Sequence, residues 1–123
     1  MKLIVGLDLG KKTGIAKAYD KLMVAIPHKT VYSFKELITE LKLLSPKCLV
    51  IGWPILMNGK PGLQCERVKS WVSAIIKEID EVPLYYEDER FSTKEVFGSK
   101  DEDASSAAWI LQKFLDKNML KNF

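Results

Sequence analysis

The sequence has 123 residues, of which 47% are hydrophobic and 28% charged, and its formal net charge is +3. This length predicts a single domain over residues 1–123, able to bury roughly two thirds of its unfolded surface in one core. The apolar runs are shorter than a membrane span of ~20 residues and the N-terminus lacks a signal-peptide pattern, which predicts a cytoplasmic protein without a membrane partner. The few Cys and His residues are scattered, so neither a disulfide nor a zinc site is expected.

The first segment, residues 2–16, predicts a strand, a hairpin turn and a second strand. Alternation places Leu3, Val5, Leu7 and Leu9 on one face of the first strand and Ile4, Gly6, Asp8 and Gly10 on the other. A carboxylate within a sheet must be paired, hydrogen-bonded or bound to a cation. Two interpretations stay open: Asp8 begins a turn, or it faces a ligand for which the neighbouring glycines leave room.

The remaining chain alternates between short apolar runs and segments of helical periodicity. These predict a third antiparallel strand over Lys21–Pro27, a helix from Phe34 capped by Ser33, a buried parallel strand over Cys48–Gly52, a helix from about Leu63 to Ile79, a strand over Val82–Glu87 and a last helix from about Asp103. This order predicts an α/β fold. Its five-stranded mixed sheet combines a three-strand antiparallel meander with two parallel strands, flanked by helices.

Carboxylates follow or end the strands that are predicted to be parallel neighbours. Asp8 lies late in the first strand and Asp88-Glu89 follow the last one, so both positions are expected at one edge of the sheet. Asp103, in the first turn of the last helix, can face the same edge. Its alternative role is that of a helix N-cap or a partner of the helix dipole.

Three such carboxylates without His or Cys favour a hard cation, Mg²⁺ or Mn²⁺, and two ions would serve hydrolysis at phosphorus. Basic and loop residues near these positions are candidates for contact with nucleic acid: Lys11, Lys12, Trp53, Asn58, Lys60, Arg90 and Lys94. The alternative for the lysines is a solvated face, and for the loop after the fourth strand a plain connection.

Four segments, in this order, resemble motifs of the YqgF/RuvX family: Gly6-Leu7-Asp8-Leu9-Gly10, Ile51-Gly52-Trp53-Pro54 with Gly59 and Gly62, Asp88-Glu89-Arg90-Phe91-Ser92-Thr93, and Asp103 leading to Ile110-Leu111-Gln112. The resemblance runs from Met1 to about Asp116. It implies a ribonuclease H-like fold related to Holliday-junction resolvases and a nuclease that matures the 5′ end of pre-16S ribosomal RNA. By motif match, Asp8, Glu89 and Asp103 would be the catalytic, metal-binding carboxylates, and Arg90 a backbone contact.

The chain departs from the family pattern in the segment Ser92–Asp103, which is longer and more basic in family members. Because this segment is short, Asp101 and Glu102 stay open as alternatives to Asp103 for the third ligand. Three functions are therefore compared: an endonuclease acting on structured RNA, a Holliday-junction DNA resolvase, and a non-catalytic RNA-binding or ribosome-assembly module. The expected partners are nucleic acid and ribosomal precursor particles, and the expected state is a monomer or weak homodimer.

Overall fold

The computed structural model describes residues 2–53, 64–79, 81–88 and 102–118. Its elements in chain order are β1 (Leu3–Asp8), β2 (Thr13–Tyr19), β3 (Ile26–Val31), α1 (Phe34–Leu44), β4 (Cys48–Trp53), α2 (Gln64–Glu78), β5 (Leu84–Asp88) and α3 (Glu102–Asn118). Within these ranges no helix is long and apolar enough to cross a membrane.

The five strands form one mixed sheet in the order β3-β2-β1-β4-β5. The pairs β1–β2 and β2–β3 are antiparallel, whereas β1–β4 and β4–β5 are parallel. The interior strand β4 reads CLVIGW, and its first five residues are buried, as expected for a parallel strand covered on both faces. The predicted fold class and the predicted order of strands and helices are therefore confirmed.

Helices cover both faces of the sheet, and the alternation in β1 separates the two cores. Ile4 belongs to a cluster with the buried face of α3, whereas Val5 and Leu7 pack in a second cluster with residues of α1 and α2. Adjacent residues of a strand point to opposite faces. Asp8 therefore shares the face of Ile4 and Gly6, which is the face covered by α3.

The third strand lies later in the chain than the sequence pattern predicts. Residues 22–25, the centre of the predicted strand, form a connection, and β3 begins at Ile26. Met23 has a left-handed backbone with φ of 57°, which no strand residue adopts. The Gln112 side chain of α3 accepts a hydrogen bond from the Ala25 amide at 2.9 Å and donates one to the Met23 carbonyl at 3.3 Å. Met23 and Ala25 pack in the cluster beneath α3, the other two side chains of this segment are exposed, and none of the four residues pairs with β2.

Helix α1 begins at Phe34, as predicted. The Ser33 hydroxyl accepts a hydrogen bond from the Glu36 amide at 3.1 Å, and Ser45 ends the helix with a left-handed backbone. The Glu40 carboxylate joins this helix to β3 through His28, at 2.6 Å, and Lys29. Hydrogen bonding to His28 holds the pKa of Glu40 below its usual value.

Candidate active site

The carboxyl ends of the three parallel strands lie at one edge of the sheet. Leu7 pairs with Ile51 of β4, and Ile51 pairs with Tyr86 of β5. Asp8, one residue after Leu7, ends β1. Strands β4 and β5 end two residues beyond the Ile51–Tyr86 pair, at the paired residues Trp53 and Asp88. This edge is where ligands bind in open sheets with parallel strands.

Helix α3 begins at the same edge, directly above the end of β1. Gly14 is the strand partner of Asp8, so their Cα atoms are about 4.5–5.5 Å apart and both residues face α3. A Cβ atom added at Gly14 would lie 1.8 Å from the carbonyl oxygen of Asp103. The backbone of Asp103 therefore rests on Gly14, beside Asp8.

A second close approach fixes the direction of α3 across the sheet. A Cβ atom added at Gly6 would lie 2.7 Å from Cβ of Leu111 and 3.1 Å from the carbonyl oxygen of Ala107. Asp103, Ala107 and Leu111 are four residues apart and share one side of the helix. Because this side rests on Gly6 and Gly14, α3 brings Asp103 to the end of β1 that carries Asp8.

Two of the predicted metal ligands, Asp8 and Asp103, are described by the structure, and both side chains are half-buried. Their oxygen atoms are the donors that Mg²⁺ and Mn²⁺ prefer, so this part of the donor set fits such an ion. Within the described ranges no group of three or more His, Cys, Asp or Glu side chains could hold a metal ion. Glu89, the predicted third ligand, and Asp101 lie outside the described residues, and the Glu102 side chain is not described.

The predicted nucleic-acid contacts divide between the turn after β1, the end of β4 and the undescribed segments. Lys11 and Lys12 are exposed in the turn that follows Asp8, where the Thr13 hydroxyl donates a hydrogen bond to the Gly10 carbonyl at 3.3 Å. The remaining candidates lie outside the described residues: Asn58, Lys60, Arg90 and Lys94.

Trp53 lies at the expected edge but packs on the opposite face of the sheet from Asp8, against the α1 and α2 core. Its ring is half-buried and makes an edge contact with the ring of Tyr86, with centroids 5.1 Å apart. The ammonium group of Lys69 lies 5.8 Å from the centre of the Trp53 ring. These contacts give Trp53 a structural role, and its stacking on a base stays a prediction.

A buried carboxylate that the sequence pattern did not single out lies near the end of β5. Glu87 is 4% exposed, and its Oε2 accepts hydrogen bonds from Lys117 Nζ at 2.8 Å and from the Asp88 amide at 3.1 Å. Lys113 Nζ lies 4.0 Å from the same oxygen and donates to the Asp88 carbonyl at 2.9 Å. The two lysines, four residues apart on α3, hold the end of β5 immediately before Glu89.

We expect Glu87→Gln to lower the free energy of unfolding by about 2 kcal/mol, because it leaves two lysines facing an amide where a buried carboxylate was. Lys117→Met should cost less than about 1 kcal/mol, since this lysine side chain is 59% exposed. Urea unfolding followed by circular dichroism measures both. Equal losses in the two variants would show that the buried carboxylate contributes nothing beyond its pairing with Lys117.

Comparison with known proteins identifies the family. The model of the RuvX family, described as Holliday junction resolvase, matches residues 2–117. The chain belongs to the RuvX family. A relative from Phenylobacterium zucineum, named "Putative pre-16S rRNA nuclease", is 33% identical to this RuvX-family chain over 134 residues, covering 93% of it and 86% of the relative. A relative of the same name from Anaplasma marginale is 35% identical, covering 92% and 83%.

A solved structure with low sequence identity to this RuvX-family chain has the same fold. The RuvC protein of Thermus thermophilus, solved in complex with a Holliday junction substrate, superposes with a TM-score of 0.62 at 14% identity. The match covers 97% of this chain and 96% of RuvC. The fold is ribonuclease H-like, as the sequence motifs implied.

Two features of the site were not predicted from the sequence. Gly14 was assigned to the hairpin, although its lack of a side chain is what admits the Asp103 backbone. The pairing of Glu87 with Lys113 and Lys117 was also missed. The available signal was the spacing of the two lysines, which places them one helical turn apart.

Proposed function

We propose that this chain is a metal-dependent endonuclease that hydrolyses phosphodiester bonds of RNA, and that it processes the 5′ end of pre-16S ribosomal RNA in the cytoplasm. The proposal is supported by membership of the RuvX family and by the pre-16S rRNA nuclease names of relatives that match over most of the chain. Ribosomal precursor particles are the partners in this proposal.

The observation that carries the proposal is the packing of α3 on the end of β1. The Asp103 backbone lies against Gly14, the strand partner of Asp8. The two acidic residues therefore occupy neighbouring backbone positions at one edge of the sheet. Carboxylate oxygens are the ligands that Mg²⁺ and Mn²⁺ prefer, so a divalent cation bound at this edge would use both residues. The alternative role of Asp103, as a helix cap, would use one carboxylate.

The residues of the chain have distinct roles in this proposal. Asp8 and Asp103, with Glu89 from the segment after β5, would hold Mg²⁺ or Mn²⁺. Lys11 and Lys12 in the exposed turn would contact phosphates next to the scissile bond, as would four residues outside the described ranges: Asn58, Lys60, Arg90 and Lys94. Such ions, when bound, supply a more acidic water and stabilise the charge that develops on the leaving oxygen.

Positioning is the contribution of the fold itself. The end of β1 lies within the sheet, between β2 and β4, so Asp8 sits on a rigid element. The Gly6 and Gly14 contacts fix the height of α3 above that strand. Hydrogen bonds from Lys113 to Asp88 and from Lys117 to Glu87 fasten the end of β5 to the same helix. The positions of Asp103 and of the end of β5 therefore depend on how α3 packs on the sheet.

A second candidate is cleavage of branched DNA. It is favoured by the description of the RuvX family as Holliday junction resolvase and by the RuvC likeness in fold. Symmetric cutting of a four-way junction requires two active sites, so this activity would require a dimer. The proposed RNA activity has no such requirement.

The test is cleavage by purified protein of two substrates: an RNA fragment spanning the 5′ end of pre-16S rRNA and a four-way DNA junction. Each is incubated with Mg²⁺, with Mn²⁺ or with EDTA. We expect the RNA to be cut with either ion and to stay intact in EDTA. Cleavage of the junction with no cleavage of RNA would replace the proposal by the second candidate. Salt-sensitive RNA binding without turnover of either substrate would leave a binding module.

A further inference from the structure

A cavity of about 320 Å³ lies beside the proposed active site, between the turn after β1 and the N-terminal half of α2. It is lined by Leu9, Gly10, Lys11, Arg67, Val68 and Trp71. Leu9 follows Asp8 directly and belongs to the core on the opposite face of the sheet. The cavity and Asp8 therefore flank the same turn from opposite sides.

The lining residues combine a cationic rim with an apolar wall. Lys11 and Arg67 are exposed, and no acidic side chain is present among the lining residues that the structure describes. Arg67 and Trp71 are four residues apart on α2, so they lie one turn apart on one side of the helix. The Trp71 ring is half-buried and held by an edge contact with Phe34, with centroids 6.0 Å apart. Trp71 thus offers a fixed aromatic surface next to two positive charges.

A second cavity of similar size differs from the first in charge and in aromatic character. It measures about 310 Å³ and lies at the opposite edge, where Pro46 and Val82 precede the parallel strands. Its lining carries one lysine and one glutamate, Lys42 and Glu78, whose charges cancel, and it has no aromatic residue. Volume alone therefore does not distinguish the two cavities, whereas charge and aromatic character do.

We propose that the first cavity binds one unpaired nucleotide of the RNA substrate next to the scissile phosphodiester. Its base lies against Trp71 and Val68, and its phosphate is contacted by Arg67 and Lys11. An anionic phosphate matches the two cations, and a base is a flat ring that stacks on an aromatic surface. Recognition of splayed, single-stranded nucleotides is the usual way in which proteins read RNA. The inference rests on the proposed nuclease function and names the part of the substrate held at its edge.

The test is binding of a fluorescein-labelled, ten-nucleotide single-stranded RNA of mixed sequence, measured by anisotropy in EDTA so that no metal-dependent cleavage occurs. We expect Arg67→Gln and Trp71→Leu each to weaken binding about tenfold. Lys42→Gln, which neutralises an exposed cation at the second cavity, is the matched control and should bind like the wild type. Thermal unfolding of each variant, followed by circular dichroism, verifies its fold.

The salt dependence of binding separates a phosphate contact from a structural effect. For Arg67→Gln, the slope of log affinity against log salt should become shallower by about 0.7, the value for one phosphate contact on a single strand. For Trp71→Leu the slope should stay that of the wild type, because stacking releases no counterion. Arg67→Gln with wild-type affinity and slope would overturn the inference, and so would an equal loss in Lys42→Gln.

Two further experiments are needed. The first distinguishes a nucleotide within RNA from a free mononucleotide, and the second distinguishes failure of the cavity assignment from failure of the proposed nuclease function. Adenosine monophosphate competing as well as the RNA would overturn the inference in favour of a mononucleotide site. If the wild type binds RNA through Arg67 but cleaves none, the cavity assignment stands and the nuclease proposal fails. If the wild type cleaves RNA and Arg67→Gln cleaves and binds it equally well, the nuclease proposal stands and the cavity assignment fails.

Discussion

Replacing Asp8 with asparagine is expected to lower the rate of RNA cleavage by about three orders of magnitude while the protein stays folded. Asparagine has nearly the shape of aspartate but no charge, so it removes a ligand and leaves the packing at the end of β1 in place. Stabilisation of transition-state charge by a bound metal ion is worth several kcal/mol, and each 1.4 kcal/mol is tenfold in rate. Single-turnover cleavage of the pre-16S RNA fragment measures the effect.

The matched control is Asp20→Asn, the same substitution at the other end of the sheet. Asp20 is partly buried, with 19% of its side chain exposed, and it pairs with Lys47 at 3.4 Å. Its amide donates a hydrogen bond to the Lys2 carbonyl, before the start of β1 and therefore away from the carboxyl edge. This variant should cleave RNA at the wild-type rate. Cleavage by Asp8→Asn at that rate would place the reaction elsewhere or assign it to a contaminant.

Gly14→Ala is expected to destabilise the protein strongly, because an added methyl group at this position has no room. The new Cβ would lie 1.8 Å from the carbonyl oxygen of Asp103 and 3.0 Å from the Ala104 amide nitrogen. Both neighbours are backbone atoms of a helix, so the first turn of α3 must move. We expect the free energy of unfolding to fall by about 3 kcal/mol or more, measured by urea denaturation.

The same substitution should abolish RNA cleavage at temperatures where the variant is still folded, because the displaced turn carries Asp103. Gly10→Ala is its control, since the nearest atom to an added Cβ there is the Lys12 carbonyl oxygen, at 3.3 Å. That variant should lose less than about 1 kcal/mol. A Gly14→Ala protein with wild-type stability and activity would mean that α3 does not rest on the hairpin.

The sheet and its two faces could be predicted because the relevant signals are local in the sequence. Alternation in β1 assigned Asp8 to the face of Ile4 and Gly6, and the apolar run in β4 indicated a parallel strand. The Ser33 capping pattern gave the start of α1. Each of these depends on neighbours within a few residues, which a single sequence displays.

The third strand was misplaced because its position depends on a distant residue. The apolar residues 22–25 are typical of a strand, yet Gln112 of α3 binds the backbone of Met23 and Ala25. The strand that does form, β3, includes Pro27 and His28 and lies at an edge of the sheet, where a proline is tolerated. A contact across 87 residues leaves no local signal.

The candidate site was predicted only in part, because some of its residues are brought together by contacts between distant parts of the chain. The positions of Asp8 and Asp103 at one edge follow from strand order and helix order, and the structure brings their backbones together. The cationic cavity was missed because Arg67 and Trp71 lie on α2, more than fifty residues after Lys11. The roles of Asp8, Glu89 and Asp103 as metal ligands stay a prediction.

Calorimetric titration with Mn²⁺ shows whether Asp8 and Asp103 hold one cation site. It compares the wild type, Asp8→Asn, Asp103→Asn and Asp20→Asn, each alone and with an RNA whose phosphorothioate linkages resist cleavage. We expect Asp8→Asn and Asp103→Asn each to weaken Mn²⁺ binding at least about tenfold, because each removes a charged ligand. Asp20→Asn should bind Mn²⁺ like the wild type. Wild-type protein that binds no Mn²⁺ even with RNA, or equal binding by all four proteins, would contradict a shared site at Asp8 and Asp103.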